Sequence, residues 1–444
     1  VGRVVGRLQA RAGHPLLFGA DLERGAGQQF GGCTPLPPAA ALGSLDDMEA
    51  CWRAGALTAR EARALGVGWV YAPVADLGHE PRNPIVGTRA FGEDPDPVAR
   101  AVAAWIRGCQ DGGALPCVKH FPGHGRTLAD SHREMPVVEA DEADLARDLV
   151  PFSAAVEAGV PAVMTAHVAY PALDPSGAPA TRSRPMIQGL LRKTLGFQGL
   201  VVTDALIMEG ADAGGRGELA GALQALDAGV DALLYPRDPV ALSEGLRKAV
   251  AAGRLDAGRV LRSAERIAAA AERVGEPVGE WGRPADRSWA AGIARRSLRW
   301  IRPPEGVPSL SGGVLTVVDD DLGGPYPAAS RRPLEDRLRV LGIEAEDPGG
   351  RTESTSATEP GRRVVAVFCD PRGWKGRAGL SEDSRRAVAD RAPDAGLVLL
   401  FAHPRLAADV PGRAPVLCAW GGEALMQEAA ASEVARVAGP DAVR

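Results

Sequence analysis

The sequence has 444 residues, of which 45% are hydrophobic and 24% charged, a balance typical of a globular protein. A chain of this length exceeds one ordinary hydrophobic core, so we expect two domains. The net charge of −5 argues against nucleic acid or an anionic membrane as the partner, and no apolar run approaches the roughly 20 residues of a membrane span.

The first two thirds of the chain alternates short apolar strands with helical stretches. The strands are rich in Val, Leu, Ala or Ile without apolar–polar alternation, which indicates a parallel sheet covered on both faces. Strands are expected at Leu16–Ala20, Val67–Ala72, Leu115–Lys119, Ala162–Thr165, Leu200–Thr203 and Val230–Leu234. Helices are expected at Pro97–Gln110, Glu142–Glu157 and Gly217–Ala228. Such units are typical of an α/β barrel or a doubly wound sheet.

Polar residues at the strand ends favour the barrel. They are Asp21, Asp76, Lys119 with His120, His167 and Asp204, each at or just beyond the C-terminal end of a different candidate strand. A barrel gathers the C-terminal ends of all its strands around one mouth, whereas an open sheet concentrates its site at one crevice. We therefore predict an α/β protein with a TIM-like (β/α)8-type barrel.

The pattern changes near Trp281. Residues 275–287 read as a linker or helix start, and Trp289–Trp300 looks helical. A second α/β unit follows, with strands at Gly313–Val318, Arg363–Cys369, Gly396–Phe401 and Pro415–Trp420, and helices at Pro333–Leu341, Glu382–Arg391 and Gly422–Ala430. Asp347–Gly361 should be an exposed, mobile loop. We predict a barrel domain over residues 1–280, a connecting segment over 281–300 and a smaller C-terminal α/β sandwich domain over 301–444. That domain should stabilise the barrel and shape one wall of the cleft without chemistry.

The cysteines contain no C-x-x-C pair and lie in apolar or strand-like surroundings. They are Cys33, Cys51, Cys109, Cys117, Cys369 and Cys418. Buried free thiols are therefore expected rather than a disulfide framework or a zinc site. No signal peptide precedes the first strand, and we expect a cytoplasmic location.

The segment KHFPGHGRTLADSHREMP, residues 119–136, holds three of the seven histidines. Its Gly and Pro residues indicate irregular backbone, and loops with several ionisable groups are typical of catalytic sites. His132 has an intrinsic pKa near 6.5, suited to giving and taking a proton. Asp130 could orient its ring as the carboxylate of a hydrolase triad does. The alternative is that Asp130 caps a helix.

Asp204 ends the apolar strand GLVVTD, where a buried carboxylate is costly unless it has a purpose. It could act as a nucleophile or stabilise a developing cation, or it could cap the next helix. Lys119 and His120 could both reach a ligand where the strand bends. Arg89 could bind sugar hydroxyls or a carboxylate, or it could form an ion pair with Glu93 or Asp94.

A metal site at His120, His124 and His132 is disfavoured. Phe121-Pro122-Gly123 prevents a regular helix there, and no Cys or Glu completes a ligand set nearby. Gly-rich phosphate loops are absent from the sequence. We predict no metal or other cofactor.

Taken together, KHFPGHG…DSH and the later TDALIM resemble glycoside hydrolase family 3, in its β-N-acetylglucosaminidase branch. Further matches are FGADLERGAGQQF around Asp21, APVADLGHEPRNPIVGTRAFGEDP around Asp76 and Arg89, and PAT-S at Pro179–Ser183. The resemblance covers roughly residues 10–270 and, more loosely, the C-terminal domain.

The resemblance implies a retaining mechanism through a covalent glycosyl–enzyme. It makes Asp204 the nucleophile and His132, assisted by Asp130, the acid/base. Asp21, Arg89, Lys119 and His120 match positions that bind the terminal N-acetylglucosamine. The implied substrates are N-acetylglucosaminyl cell-wall fragments or chitooligosaccharides. For the protein itself we expect no membrane span, and the sequence does not predict its oligomeric state.

Two features depart from the family pattern. The aspartate loop of relatives reads closer to D-x-E-G-G, whereas this chain carries Arg24 after Glu23. Relatives also have a strand-bearing segment before the stretch that matches Val1–Ala12, so we predict an incomplete or unusually closed barrel. These departures keep open an inactive sugar-binding protein. Some relatives pass the sugar to phosphate instead of water, which keeps open a phosphorylase or transglycosylase at the same site.

Overall fold

The computed structural model describes residues 1–131, 133–212, 215, 217–306, 310, 312–324, 327–346 and 361–438. The first sheet contains β1 (Gly19–Ala20), β2 (Trp69–Val70), β3 (Leu115–Phe121), β4 (Ala162–Thr165) and β5 (Leu200–Thr203). The helices of this part are α1 (Gly2–Arg11), α2 (Ala39–Gly43), α3 (Met48–Ala64), α4 (Pro95–Asp111), α5 (Glu142–Glu157), α6 (Glu218–Ala228), α7 (Pro239–Ala251) and α8 (Ala257–Val274). A π-helix covers Pro185–Thr194.

The first sheet is parallel, and its strands are hydrogen-bonded in chain order from β1 to β5. Both of its faces are buried. Trp69, Met164 and Val202 pack in a cluster on one face, while Val118 and Val201 belong to the main core with the helices. This burial explains the uninterrupted apolar runs. In the described residues the sheet curls into a half-barrel, so the prediction of an α/β, TIM-like fold is confirmed.

The prediction of a sixth strand at Val230–Leu234 is wrong. Only Ala232 forms a bridge, with Val202. Backbone hydrogen bonds form around Ala232, whose amide donates to the Val201 carbonyl and whose carbonyl accepts the Thr203 amide, each at 3.1 Å. On either side of them, side chains take the next amides: the Val201 amide donates to Asp231 Oδ2 at 3.0 Å, and the Leu234 amide donates to Thr203 Oγ1 at 2.9 Å. A segment with strand-like composition is therefore held at the edge of the sheet without extending it.

The second sheet contains β6 (Arg299–Arg302), β7 (Val314–Asp319), β8 (Glu344–Ala345), β9 (Arg363–Cys369), β10 (Ala395–Ala402) and β11 (Val416–Cys418). Its helices are α9 (Pro284–Ser297), α10 (Arg332–Val340), α11 (Glu382–Arg391) and α12 (Ala424–Ala438). The strand order is β6-β11-β10-β9-β7-β8, and β6 is antiparallel to β11. These elements confirm the second α/β unit.

The helix predicted at Trp289–Trp300 ends earlier, at Ser297. Trp420 donates its indole N–H to the Ser297 carbonyl at 2.6 Å, and the chain then turns into β6, where Trp300 pairs with Leu417. The predicted loop Asp347–Gly361 lies outside the described residues except for Gly361. We retain residues 1–280, 281–300 and 301–444 as our proposed domain division.

The two sheets are joined by direct contacts. Arg405 donates to the carbonyls of Gly78 at 2.6 Å and Glu80 at 3.1 Å, and Arg24 pairs with Glu423. All six cysteines are buried free thiols, as predicted. Within the described ranges, no helix combines the length and apolar character that crossing a bilayer requires.

Candidate active site

A cavity of about 510 Å³ opens at the C-terminal end of the first sheet. Five predicted site residues line it: Asp21, Arg89, Lys119, His120 and Asp204. They are far apart in sequence and meet because parallel strands end at one edge. Asp21 directly follows β1, Lys119 and His120 belong to β3, and Asp204 directly follows β5.

A compact charge cluster occupies one side of this cavity. Lys119 Nζ lies 2.6 Å from Asp21 Oδ1 and 2.7 Å from Glu23 Oε1. Arg89 holds Glu23 through two bonds, Nε to Oε2 at 2.9 Å and Nη2 to Oε1 at 2.7 Å. The ion-pair alternative for Arg89 thus had the wrong partners, because the carboxylate is Glu23 rather than Glu93 or Asp94.

The charges in the cluster support one another. Burial opposes ionisation of Glu23, but Arg89 and Lys119 hold its pKa well below the usual value. Burial would likewise lower the pKa of Lys119, yet Asp21 and Glu23 raise it above the ordinary range. Glu23 and Lys119 are therefore both charged at neutral pH. Such fixed donors and acceptors can bind the hydroxyls of a sugar.

Asp76 organises two histidines, His120 near the end of β3 and His124 in the loop after it. Its Oδ1 accepts the backbone amides of His120 at 3.1 Å and His124 at 2.7 Å, and its Oδ2 lies 2.7 Å from His120 Nδ1. His124 has both ring nitrogens engaged, Nδ1 with Thr127 at 2.7 Å and Nε2 with Ser131 at 3.0 Å. Burial and the neighbouring His120 lower the pKa of His124 to about 4, so it is a neutral positioning residue.

Asp204 lies at the cavity wall with an ionised carboxylate. Its Oδ1 accepts the Ala205 amide at 2.7 Å. Burial opposes ionisation, but His120 and His167 outweigh it and the pKa lies below the usual value. The alternative role as a helix cap has no support in the described part of the chain, where the next helical turn is a 3-10 helix over Glu209–Asp212. The carboxylate lines the cavity together with His120.

His167 and Thr181 support the backbone beside Asp204. His167 Nε2 lies 3.2 Å from the Ala205 carbonyl, and its Nδ1 lies 3.0 Å from Thr181 Oγ1. Thr181 belongs to the PAT-S segment of the sequence. This chain of contacts connects the loops after β4 and β5 and fixes the position of the carboxylate.

The loop that carries Asp130 is anchored but only partly described. Asn83 Nδ2 donates to the carbonyls of His124 at 2.8 Å and Gly125 at 3.2 Å. Asp130 is buried, and no helix begins there in the described ranges. His132 lies outside the described residues. The pairing of Asp130 with His132 therefore stays a prediction.

Sequence reasoning missed Glu23 and Asp76 as members of the site. Asp76 had been placed at a strand end, but nothing showed that it binds two histidines more than 40 positions away. Glu23 is the glutamate of the D-x-E pattern. The sequence comparison drew attention to Arg24, the residue after it, and assigned no role to Glu23. The partners of both residues come from other strands, and spacing along the chain does not reveal them.

Comparison with known proteins identifies the family. The family model described as "Glycosyl hydrolase family 3 N terminal domain" matches residues 4–270. The chain belongs to glycosyl hydrolase family 3. It is therefore a glycoside hydrolase that acts on O-glycosyl bonds, and the resemblance inferred from the sequence is confirmed.

The similar proteins include bacterial enzymes with related names. A β-hexosaminidase of Thiobacillus denitrificans is 44% identical over 243 residues, which is 53% of this chain and 66% of that protein. One of Xylella fastidiosa (strain M23) is 41% identical over 236 residues, or 51% of this chain and 69% of that protein. The chain thus spans about two thirds of these relatives.

Among solved structures, a family 3 β-N-acetylglucosaminidase from Paenibacillus sp. str. FPU-7 is similar over almost the whole chain. The TM-score is 0.85 and the identity 30%, with 98% of this chain and 87% of that chain covered. The likeness therefore includes the second sheet as well as the half-barrel.

Proposed function

We propose that this family 3 protein is a retaining exo-β-N-acetylglucosaminidase. It removes terminal N-acetylglucosamine from cell-wall fragments or chitooligosaccharides through a covalent glycosyl–enzyme. The observation that carries the proposal is the meeting of an ionised Asp204 with the Asp21–Glu23–Arg89–Lys119 cluster in one sugar-sized cavity. The names of the similar β-hexosaminidases support the choice of sugar.

In the first step, an Asp204 carboxylate oxygen attacks the anomeric carbon of the terminal sugar. The bond from that carbon to the glycosidic oxygen breaks as the new bond forms. The protonated ring of His132, stabilised by the Asp130 carboxylate, donates its proton to the departing oxygen and becomes neutral. A nucleophile must be ionised at working pH, which the lowered pKa of Asp204 supplies.

In the second step, water attacks the anomeric carbon and the ester bond to Asp204 breaks. His132 accepts the proton of that water, so each group returns to its starting state. Two displacements at one carbon leave its configuration unchanged. Throughout both steps, Lys119, Arg89 and Asp21 hold the sugar hydroxyls in place.

A panel of nitrophenyl β-glycosides of N-acetylglucosamine, glucose and xylose tests the proposal. We expect the N-acetylglucosaminide to have the highest kcat/KM, and Asp204→Ala to abolish its turnover. Asp227→Ala, an exposed carboxylate on α6, is the matched control and should keep wild-type rates. Near wild-type turnover by Asp204→Ala, or preference for another sugar, would contradict the proposal.

The same reactions with added phosphate separate hydrolysis from phosphorolysis. The expected product is free N-acetylglucosamine whether or not phosphate is present. A sugar 1-phosphate that accumulates in proportion to phosphate would show a phosphorylase instead. Sugar binding measured by calorimetry without turnover of any glycoside would show an inactive family member.

The cellular setting is part of the same proposal. Six buried thiols without a disulfide fit a reducing compartment, so we place the enzyme in the cytoplasm. Detection of the protein in the oxidising periplasmic or extracellular fraction would contradict this placement.

A further inference from the structure

The strand order of the second sheet reverses beside β7. From β7 the chain passes to β8 on one side, and then to β9, β10 and β11 on the other. In open α/β sheets, ligands bind outside the C-terminal ends of the strands at such a reversal. Here β7 ends in Asp319, followed by Asp320 and Asp321, and β9 is followed by Asp370.

The turn after β9 reaches the cavity of the first sheet. Asp370, Pro371, Arg372 and Gly373 line the same cavity as Asp204. A Cβ added at Gly87 would lie 2.9 Å from Pro371 Cγ, so this turn packs directly on the loop that carries Arg89. The two sheets therefore share one binding cavity, and the predicted wall from the C-terminal domain is confirmed.

Arg372 has hydrogen-bonding capacity that the described residues do not use. Its nearest carboxylate oxygens are Asp321 Oδ1, 3.8 Å from Nε, and Asp370 Oδ2, 3.8 Å from Nη2, both beyond hydrogen-bonding distance. In the part of the chain that the structure describes, its buried Nε has no acceptor. Asp321 is already bound by Arg331 at 3.1 Å and Lys375 at 2.7 Å.

Neighbouring arginines show the contrast. Arg331 binds Asp319 through two bonds of 2.8 Å, and Arg377 binds Asp320 at 2.6 Å. Both have carboxylate partners within the second sheet, and neither lines the cavity. Arg372 lines it and lacks such a partner at bonding distance. A half-buried guanidinium with an unused donor gains from an added acceptor, and its planar fork fits a carboxylate.

We propose that Arg372 binds the aglycone of the substrate and selects one that carries a carboxylate. The inference rests on the proposed function. The strand ends of the first sheet would bind the terminal sugar, and the turn beside the reversal of strand order in the second sheet would bind the leaving group.

Two substrates with closely similar leaving groups test the assignment: 4-carboxyphenyl and 4-carboxamidophenyl β-N-acetylglucosaminide. The wild-type enzyme should prefer the carboxylate in kcat/KM by about 10-fold or more, mainly through KM, as one charge-assisted contact allows. Arg372→Gln should remove that preference while it leaves the carboxamide substrate within about 3-fold of the wild-type rate. Arg372→Lys should keep part of the preference, because the charge remains without the fork.

Arg377→Gln is the matched control, since Arg377 lies five positions away and binds Asp320 outside the cavity. It should keep the wild-type preference. A preference that survives in Arg372→Gln, or that is absent from the wild type, overturns the assignment while hydrolysis of the carboxamide substrate still supports the proposed function.

Two other outcomes are also decisive. No cleavage of either substrate by the wild type would overturn the proposed function and this inference with it. If added inorganic phosphate gives a sugar 1-phosphate only when Arg372 is present, the anion that Arg372 binds is the phosphate acceptor and not an aglycone carboxylate.

Discussion

Replacing Glu23 by Gln should destabilise the half-barrel more than any surface charge change. The substitution keeps the shape of the side chain but removes its charge. The NH2 group of Gln is a donor and would face the donors of Arg89 or Lys119. The three charge-assisted contacts of 2.7–2.9 Å that the Glu23 carboxylate accepts are therefore weakened or replaced by repulsion between donors. Lys119 remains buried, at 2% exposure, with Asp21 as its remaining partner.

The size of the effect follows from the burial of the partners. Breaking a fully buried ion pair costs about 3–5 kcal/mol, and hydrogen bonds to charged groups contribute about 1.5–3 kcal/mol. Because Arg89 is 26% exposed, we expect a loss of about 2–4 kcal/mol. For a domain of this size, that corresponds to a fall in Tm of about 5–10 °C.

The assay is thermal unfolding followed by circular dichroism, with Glu93→Gln as the control. Glu93 is 60% exposed and lies 3.4 Å from Arg405, so its loss should change Tm little. The pKa of Glu23 is lowered in the folded state, so its stabilisation is complete above the ordinary value of 4.5 and is lost as pH falls below it. The Tm difference between wild type and Glu23→Gln should therefore shrink in acid. Equal Tm values for the wild type and Glu23→Gln at pH 7 would refute the reasoning.

Two further predictions concern the histidines. His132→Ala should lower kcat for aryl glycosides by about 10²–10⁴-fold without changing Tm, because general acid–base catalysis contributes about that much to the rate. Steady-state kinetics measures this effect, and an unchanged kcat would exclude the acid/base role. His124 has its pKa lowered to about 4 from 6.5, so the unfolded chain binds the extra proton and stability falls as pH drops from 6.5 towards 4, by about 3 kcal/mol at most. His124→Asn should flatten this part of the Tm–pH curve, and identical slopes would contradict the assignment.

Several parts of the site were predictable because strand ends of a parallel sheet meet at one edge. Asp21, Lys119 and Asp204 follow or end apolar runs, and this alone placed them together. Glu23 was not predictable, since its partners lie 66 and 96 positions away, at Arg89 and Lys119.

Three other features that the sequence did not predict have separate physical causes. Val230–Leu234 has the composition of a strand, but the Asp231 carboxylate accepts an amide hydrogen bond that a strand ladder would use. No sequence pattern marked Arg372 as a site residue, because its proposed role depends on the carboxylates that lie beyond hydrogen-bonding distance of its guanidinium in the folded chain. The C-terminal wall of the cavity was predicted, but the residues that form it were not, because the turn at Pro371 packs on Gly87, a contact between distant parts of the chain.

The most direct test of the central claim is to trap the covalent glycosyl–enzyme with a fluorinated N-acetylglucosaminyl fluoride and to map the label by peptide mass spectrometry. We expect one sugar bound to the peptide that contains Asp204, with no label on Asp204→Ala. A sugar attached to a different residue, or steady turnover to a product of inverted configuration without any adduct, would contradict it.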